Sequence, residues 1–597
     1  MIMKKAIYLF LVIILTLSLF NCRKEPGYIG APDPDPVPII VTPEPITANL
    51  QGNIVDENNL PAEGVSITVG NKTASTDAKG FFKIAAALLD RKNSLVQATK
   101  TGYFKGLRHF AATSGTNYVK IKLIPRTLAG SIDAATGGTA TLSNGSIVRL
   151  PANGIKDAAT GNSYSGLVKV FAQYIDPTAA DLAITIPGSL SAIDKDGKQV
   201  VLTSFGMMAV ELESAAGEKL QIKTGNKATL TMPIPAAALA SAPASIPLWF
   251  VDETNGLWRE EGSATKQGNQ YIGDVSHFSF WNCDFSSSGI TLTMRLININ
   301  QTPLVNTAVK LTRPGISWLN NITGYTDSLG QVSGLVPTNE ALVMEVLDPC
   351  GTTLYTQNIN PMTQDTDLGN ITVTNTGSGI ITLEGRLINC NNIPVTNGYA
   401  MISFDNNTRY AAVDGNGRYQ TSFTFCAGSG SVASILAVDN GTGGGPQHST
   451  TVNVNLTSPA TNLADIVVCD TTPFAYINYN IDGVDYYWNA SNSFQMQGVD
   501  FPGSFTLLVD NQPGPRQFVL NVDGSSTGVF GASFTSTDAF PSGGSVSFIP
   551  GFTSTVTRFA TSWPDFFEGS FTGQYTHSST GSTVHTINGT YRVMHQF

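Results

Sequence analysis

A chain of 597 residues is too long for a single hydrophobic core and implies several domains. Only 13% of its residues are charged, and it contains 58 Gly and 31 Pro, while helix-forming patterns are scarce. This composition favours an exported, all-β protein. The formal net charge is −10 and Lys and Arg do not cluster, which argues against duplex nucleic acid as a partner.

The first 21 residues are predicted to be a signal peptide. Two lysines precede the apolar segment 6–20, which is too short to span a membrane, and Cys22 follows directly. The arrangement resembles the signal of Bacteroidetes-type surface lipoproteins, although Phe20 and Asn21 replace the small residues usual there. The resemblance implies a lipid on the Cys22 thiol and an outer-membrane location, on the cell surface or the periplasmic face. Ordinary secretion and an uncleaved anchor are the alternatives.

Residues 22–48 are rich in proline and predict an extended, semi-stiff linker. Beyond them, short runs of β-branched residues bounded by Gly, Asn and Asp predict antiparallel strands. Asp196 and Gly197 stand between two apolar runs and predict a hairpin. One short helix is expected at 234–242.

Three segments share one skeleton, in which a strand, a polar turn, a proline and a second strand lead to an Asp/Gly turn. The segments are 52–69, 294–311 and 385–402, their prolines are Pro61, Pro303 and Pro394, and the turn residues are Asp77 with Gly80, Asp327 with Gly330, and Asp414 with Gly417. In such a turn the Asp side chain accepts hydrogen bonds from the backbone that follows, and Gly takes a left-handed conformation. A single carboxylate per turn is too few for calcium.

These blocks resemble the carboxypeptidase regulatory-like domain, a seven-stranded transthyretin-like β-sandwich. The best match is 49–126, and further copies are predicted at 288–376 and 377–471. That domain is an accessory module without hydrolytic residues, so the resemblance implies a spacer or binding role.

Two other domains are predicted. Residues 127–287 resemble a sandwich region of matrix proteins of the cartilage intermediate layer type, and resemble uncharacterised Bacteroidetes lipoproteins more closely. Residues 472–597 look like a C-terminal β-rich domain of secreted proteins from the same bacteria. The domain at 127–287 is expected to end with the strand HFSFWNCDF (277–285), with Cys283 available for a disulfide and Asp284 opening a polar exit. His277 and Cys283 lie about 20 Å apart along such a strand, too far to form a catalytic pair.

Disulfides are the default for cysteines in an oxidising compartment. The pair Cys390–Cys469 is favoured, because the two residues fall on the first and last strands of one repeat, and Cys283–Cys350 is the next choice. No C-x-x-C pair or H-x-H motif occurs, so neither a metal site nor a cofactor is predicted. His577 and His585 flank a hairpin turn, and GSSTG around Ser526 lacks the helix that a nucleophile elbow requires.

Aromatic residues of the last domain leave two interpretations open. Tyr486, Trp488 and Trp563 lie in Gly/Ser-rich β-sequence and could fill a sandwich core or form a ligand platform for sugar rings.

The sequence as a whole predicts a non-enzymatic, lipid-anchored envelope protein whose sandwiches serve adhesion, ligand binding or scaffolding. The expected partners are the membrane, through the lipid, and a glycan or protein ligand. The alternative is a carbohydrate-binding lipoprotein of a glycan-uptake system. A hydrolase is disfavoured, because no acid, base and nucleophile converge in the motifs. The oligomeric state is not indicated.

Overall fold

The computed structural model confirms the all-β prediction. It describes residues 43–316, 318, 322–374, 381–404, 407–423, 432–441, 447–457, 460–469, 475–489, 495–510, 517–537, 546–561, 566–578 and 580–595. Helical structure in these residues is limited to α1 (Leu182–Thr185) and a 3-10 turn (Leu239–Ser241). The helix expected at 234–242 was therefore wrong except for that turn. No helix in the described residues is long and apolar enough to cross a membrane.

The first sandwich has seven strands in two sheets. The strands are β1 (Pro45–Val55), β2 (Ser66–Val69), β3 (Lys72–Ser75), β4 (Phe81–Asp90), β5 (Ser94–Thr99), β6 (Gly106–Phe110) and β7 (Asn117–Lys122). The sheet orders are β4-β1-β7 and β3-β2-β5-β6, with β1 and β7 parallel. Alternation along β1 places Leu50 and Ile54 in the core between the sheets, so Gln51 and Asn53 lie on the outer face.

The second domain is built around the long strand β14. Its strands are β8 (Leu128–Asp133), β9 (Gly138–Thr141), β10 (Ile147–Leu150), β11 (Ile155–Asp157), β12 (Leu167–Ile175), β13 (Ser191–Ile193), β14 (Gln199–Ser214), β15 (Lys219–Ile222), β16 (Ala228–Pro233), β17 (Ser245–Asp252), β18 (Leu257–Gln267), β19 (Gln270–Val275) and β20 (Phe280–Ile297). The predicted hairpin joins β13 to β14, with Gly197 at φ +78°.

Strand β20 is continuous across the predicted boundary at 287. Its first half pairs with β14 and β17. Its second half begins the third sandwich, whose other strands are β21 (Ala308–Thr312), β22 (Ile322–Tyr325), β23 (Gln331–Pro337), β24 (Leu342–Leu347), β25 (Thr353–Ile359) and β26 (Thr366–Thr372). The sheet orders, β23-β20-β26 and β22-β21-β24-β25, repeat those of the first sandwich.

The fourth sandwich follows the same plan. Its strands are β27 (Ile381–Asn389), β28 (Gly398–Phe404), β29 (Asn407–Ala412), β30 (Arg418–Phe423), β31 (Val432–Asp439), β32 (Gln447–His448), β33 (Val452–Asn455), β34 (Ala460–Asn462) and β35 (Ile466–Val468). Strand β27 pairs with β30 and, in parallel, with β34 and β35, while β28 lies between β29 and β31.

The C-terminal domain is a curled antiparallel sheet. Its strands are β36 (Tyr476–Ile481), β37 (Val484–Asn489), β38 (Gln495–Phe501), β39 (Ser504–Asp510), β40 (Gln517–Val522), β41 (Gly528–Ser536), β42 (Val546–Phe548), β43 (Thr553–Arg558), β44 (Phe566–His577) and β45 (Val584–Met594). Gly498 of the edge strand β38 forms a parallel bridge with His595, just after β45, so the sheet curls back on itself around an aromatic core.

The Asp/Gly turn has the same geometry in all three repeats. In each, Oδ1 of the Asp accepts two backbone N–H donors, at the second and fourth residues after it. Each Gly has positive φ, and its carbonyl accepts a 2.8 Å hydrogen bond from the first strand of its sandwich. The glycines are Gly80, Gly330 and Gly417, and the donors are the N–H groups of Ile54, Leu296 and Leu387. The structural interpretation of these turns is confirmed.

We predict that Gly330→Ala destabilises the third sandwich more than Gly351→Ala does. Both glycines have φ near +80°, which costs an L-residue about 1 kcal/mol. Only at Gly330 would the new Cβ also lie 2.5 Å from the Leu296 carbonyl oxygen, whereas nothing lies within 4 Å at Gly351. Urea unfolding of the full chain should show a loss larger by at least about 1 kcal/mol for Gly330→Ala. Equal losses would contradict this account of the turn.

Candidate functional site

The Asp/Gly turn of the third sandwich docks on the first sandwich. Asp327 is 1% exposed, and its second carboxylate oxygen accepts a 2.8 Å hydrogen bond from the Gly115 N–H. Next to it, the Thr116 N–H donates to the Ser328 hydroxyl at 2.8 Å, and the Ser328 N–H donates back to the Thr116 carbonyl. One oxygen of Asp327 therefore shapes the turn while the other fixes the neighbouring sandwich.

The first and fourth sandwiches meet through aromatic rings. Phe81 follows the turn of the first sandwich, and its ring centroid lies 4.4 Å from that of Tyr399 and 5.3 Å from that of Tyr410. Lys83, two residues along the same strand, donates a 2.6 Å hydrogen bond to the Val413 carbonyl, beside the Asp/Gly turn of the fourth sandwich. The contact therefore joins ring packing to hydrogen bonding.

The first sandwich also contacts the second domain through a buried histidine. His109 on β6 is 4% exposed, with Nδ1 3.0 Å from the Ser189 hydroxyl and Nε2 3.0 Å from Asn93 Oδ1. Burial, reinforced by the charge of Arg108, lowers the pKa of His109 to about 4. The imidazole is therefore neutral at pH 7 and belongs to the interface.

A cavity of about 590 Å³ lies against the outer face of the sheet β4-β1-β7, at the junction of these domains. We call it the junction cavity. Strand register aligns two rows of side chains across this face, and these rows are Lys83–Gln51–Tyr118 and Phe81–Asn53–Lys120. All of these residues except Lys83 line the cavity, together with residues of α1 and of the third and fourth sandwiches. Its size falls in the range of small-molecule sites.

Two amide side chains on this face lack hydrogen-bond partners. Gln51 is 7% exposed, and its buried Oε1 accepts no hydrogen bond. The buried Nδ2 of Asn53, two residues along β1, donates none. Buried polar groups are normally paired, so this unused acceptor and donor are available to a ligand.

The opposite wall carries a buried guanidinium. Arg409 is 9% exposed and donates hydrogen bonds to the carbonyls of Val305 and Asn306, and no described carboxylate forms an ion pair with it. Burial lowers the pKa of Arg409 to about 10, against the raising effect of the Tyr118 and Tyr325 hydroxyls. It therefore stays positive at neutral pH.

The cysteines follow the prediction in part. Cys390 and Cys469 form a disulfide with a Cα–Cα distance of 5.2 Å, which confirms the favoured pair. Cys283 is a free, fully buried thiol, so the Cys283–Cys350 pairing was wrong. Cys350 is in a disulfide whose partner is outside the described residues. Cys22 also lies outside the described residues.

The stretch HFSFWNCDF differs from its prediction in two respects. The strand begins at Phe280, and Phe278 packs in the same core as Trp281 and Cys283, because the chain before Phe280 is not extended. Asp284 is fully buried and does not open a polar exit.

Asp284 belongs to a buried polar network inside the second domain, in which its Oδ1 has no hydrogen-bond partner among the described residues. Its Oδ2 accepts a 2.5 Å hydrogen bond from Asn282 Nδ2, and the Ser204 hydroxyl donates to Asn282 Oδ1 at 2.7 Å. Burial raises the pKa of the Asp284 carboxyl well above its usual range. Trp249 donates its indole N–H to the Asp284 carbonyl, and this packing closes the network to substrates.

Of the three C-terminal aromatic residues proposed as a ligand platform, the structure describes two. Trp488 is 0% exposed and packs in the domain core, so the platform interpretation was wrong at this residue. Tyr486 is half-buried and stacks on Tyr479 with ring centroids 5.0 Å apart. Trp563 lies outside the described residues.

His577 and His585 differ in their surroundings. His585 has its Nδ1 2.6 Å from Asp482 Oδ2, whereas His577 is buried. In the described part of the chain, no group of three or more His, Cys, Asp or Glu side chains could hold a metal ion.

Comparisons with known proteins identify distant relatives of part of the chain. No protein-family model matches. Cartilage intermediate layer protein 2 of Mus musculus is 30% identical over 163 residues, 25% of this chain and 13% of that protein. Cartilage intermediate layer protein 1 of Sus scrofa is 27% identical over 103 residues, 17% of each chain. These matches agree with the resemblance inferred from sequence, but this chain spans less than a fifth of either relative.

Among solved structures, the shaft pilin spaA from Lactobacillus rhamnosus GG is 10% identical with a TM-score of 0.17, covering 31% of this chain and 98% of the pilin. The major pilin subunit BcpA of Bacillus cereus is 9% identical with a TM-score of 0.13, covering 71% of this chain and all of the pilin. Values this low carry no argument about this chain. The class that its own structure defines is a multidomain protein of antiparallel β-sandwiches.

The junction cavity was not predicted from the sequence. Gln51, Asn53, Tyr118 and Lys120 are polar positions alternating with the core residues of β1 and β7. That alternation could have marked the outer face of the sheet. Arg409 lies about 300 positions further along the chain, and no local pattern in the sequence indicates that it would face this sheet.

We predict that His109 makes the chain less stable at acidic pH. Its folded pKa of about 4 lies below its ordinary value of 6.5, so the unfolded chain binds more protons between these values. Its contribution is complete above about pH 6.5 and is lost as the pH falls towards 4. From pH 7 to pH 5 the loss should be about 2 kcal/mol.

Urea unfolding of the full chain at both pH values tests this, with His109→Gln as the control, because a neutral amide cannot titrate. The variant should lose less stability than the wild type on acidification. An equal loss in the two proteins would show that His109 is not responsible.

Proposed function

We propose that the chain is a non-enzymatic, lipid-anchored outer-membrane protein that presents its sandwiches for ligand binding or scaffolding. The observation that supports this most is that three sandwiches of one plan and the second domain together line the junction cavity. The polar groups of that cavity are suited to holding a molecule. The buried Asp284 network, by contrast, is closed by its own packing.

The anchor in this proposal is the predicted lipid on Cys22, with the proline-rich residues 22–48 as the spacer between membrane and sandwiches. In adhesion or scaffolding, a partner protein would bind to the outer sheets and loops of the sandwiches. The alternative, glycan uptake through the C-terminal aromatics, is weakened because Trp488 is buried.

We predict that Cys22→Ala abolishes incorporation of labelled palmitate and moves the protein from the membrane fraction to the soluble fraction. The thiol of Cys22 is the proposed acceptor of the lipid, so no other cysteine should take its place. Cys283→Ala is the matched control, since its thiol is buried, and it should keep the label.

Persistence of the label in Cys22→Ala would refute the lipid anchor. The non-enzymatic part is tested separately, by incubating the purified full chain with ester, peptide and glycoside substrates. Turnover of any of them would overturn that part of the proposal.

A further inference from the structure

We propose that the junction cavity binds a hydroxylated carboxylate of the sugar-acid class, such as a uronic acid. This inference rests on the proposed ligand-presenting function, but not on the lipid anchor. The argument concerns three features of the cavity, which are its unpaired cations, its unpartnered amides and its aromatic rings.

The cations of the cavity favour an anion. Four basic residues line it, but burial lowers the pKa of one of them, Lys79, to about 7, so that it is only partly charged at neutral pH. The lining carboxylates are those of Asp181 and Asp348. Asp181 is paired with Lys122, outside the lining, at 2.8 Å, and Asp348 accepts backbone N–H groups of its own turn. The Asp181 carboxylate is therefore paired with a cation, whereas Asp348 uses only Oδ1 within its turn.

Two of the cations have no carboxylate partner among the described residues. Lys310 pairs with Glu345 at 3.1 Å, but Lys120 and Arg409 form no ion pair. Arg409 is also withdrawn from water, and a planar guanidinium binds a carboxylate through two parallel hydrogen bonds. A ligand carboxylate would neutralise these charges.

The amides favour hydroxyl groups on the same ligand. Gln51 offers an unused acceptor and Asn53 an unused donor. They lie on the same face of β1, two residues apart, and Asn53 is directly opposite Lys120 in the register of β1 with β7. A hydroxyl both donates and accepts, so adjacent sugar hydroxyls complement this pair while the carboxylate faces the cations.

The rings favour a saturated ring ligand. Tyr118 and Tyr325 line the same cavity, beside Phe81 and Tyr410, whose rings already stack on each other. The apolar faces of Tyr118 and Tyr325 can pack against the C–H groups of a pyranose. A neutral sugar would use the rings and the amides but leave Lys120 and Arg409 unpaired.

Calorimetric titration of the purified full chain with glucuronate and galacturonate tests the proposal, with glucose and galactose as neutral controls of the same ring size. The uronates should bind at least about 10-fold more tightly than the neutral sugars, because one charge-assisted contact contributes about 1.4 kcal/mol or more. Failure of both uronates to bind, or equal binding of the neutral sugars, would overturn it.

Two variants locate the binding. Lys120→Gln should weaken uronate binding by about 10-fold and leave neutral sugars unaffected, whereas Lys223→Gln, at an exposed lysine of the second domain, should change nothing. Gln51→Leu should weaken binding without lowering the thermal unfolding midpoint, because it removes a buried acceptor that has no partner. A merely structural Gln51 would lower the midpoint.

Binding that survives both Lys120→Gln and Gln51→Leu would place the ligand elsewhere and overturn the inference. That result would leave the lipid anchor intact, since palmitate labelling of Cys22 is independent of the cavity. Absence of the Cys22 lipid together with retained uronate binding would refute the anchor and leave the ligand inference intact.

Discussion

The arrangement of the sandwiches depends on one type of turn, which occurs in three of them. In it an Asp carboxylate accepts backbone N–H groups, and a Gly carbonyl accepts a hydrogen bond from the first strand of the sandwich. The Asp uses one oxygen inside its own turn, and the second is left for a neighbour. In the third sandwich that neighbour is the Gly115 N–H of the first sandwich. The turns of the first and fourth sandwiches lie against each other through Phe81 and Lys83. A local folding device thus also fixes how the domains pack.

This use of the turns explains why the outer face of the sheet β4-β1-β7 is not simply solvated. Once the third and fourth sandwiches dock beside it, part of this polar face is withdrawn from water, while Lys120 stays exposed. Gln51 becomes 7% exposed without gaining a hydrogen bond. The cavity is therefore a consequence of domain packing, which withdraws Gln51 and Arg409 from water and leaves Lys120 at its exposed edge.

The features that sequence predicted well are those with local causes. The Asp/Gly turns, the hairpin at Gly197 and the strand alternation each depend on a few neighbouring residues, and all are present. The Cys390–Cys469 pair could be predicted because the repeat placed the residues by its first and last strands, and they follow directly after β27 and β35. Cys283 and Asp284 were misjudged because burial depends on β14 and β17, which are distant in sequence. Trp488 was ambiguous for the same reason.

The energetic cost of the cavity bears on its purpose. An unpaired guanidinium and two unpaired amides are each unfavourable when withdrawn from water, and apolar residues of similar size would pack there at less cost. Arg409 offsets part of that cost by binding the carbonyls of Val305 and Asn306, which also ties the fourth sandwich to the third. Gln51 Oε1 and Asn53 Nδ2 form no hydrogen bond within the described residues that would offset their cost. A stability argument accounts for Arg409 alone, and the amides are accounted for by a ligand that completes their hydrogen bonds.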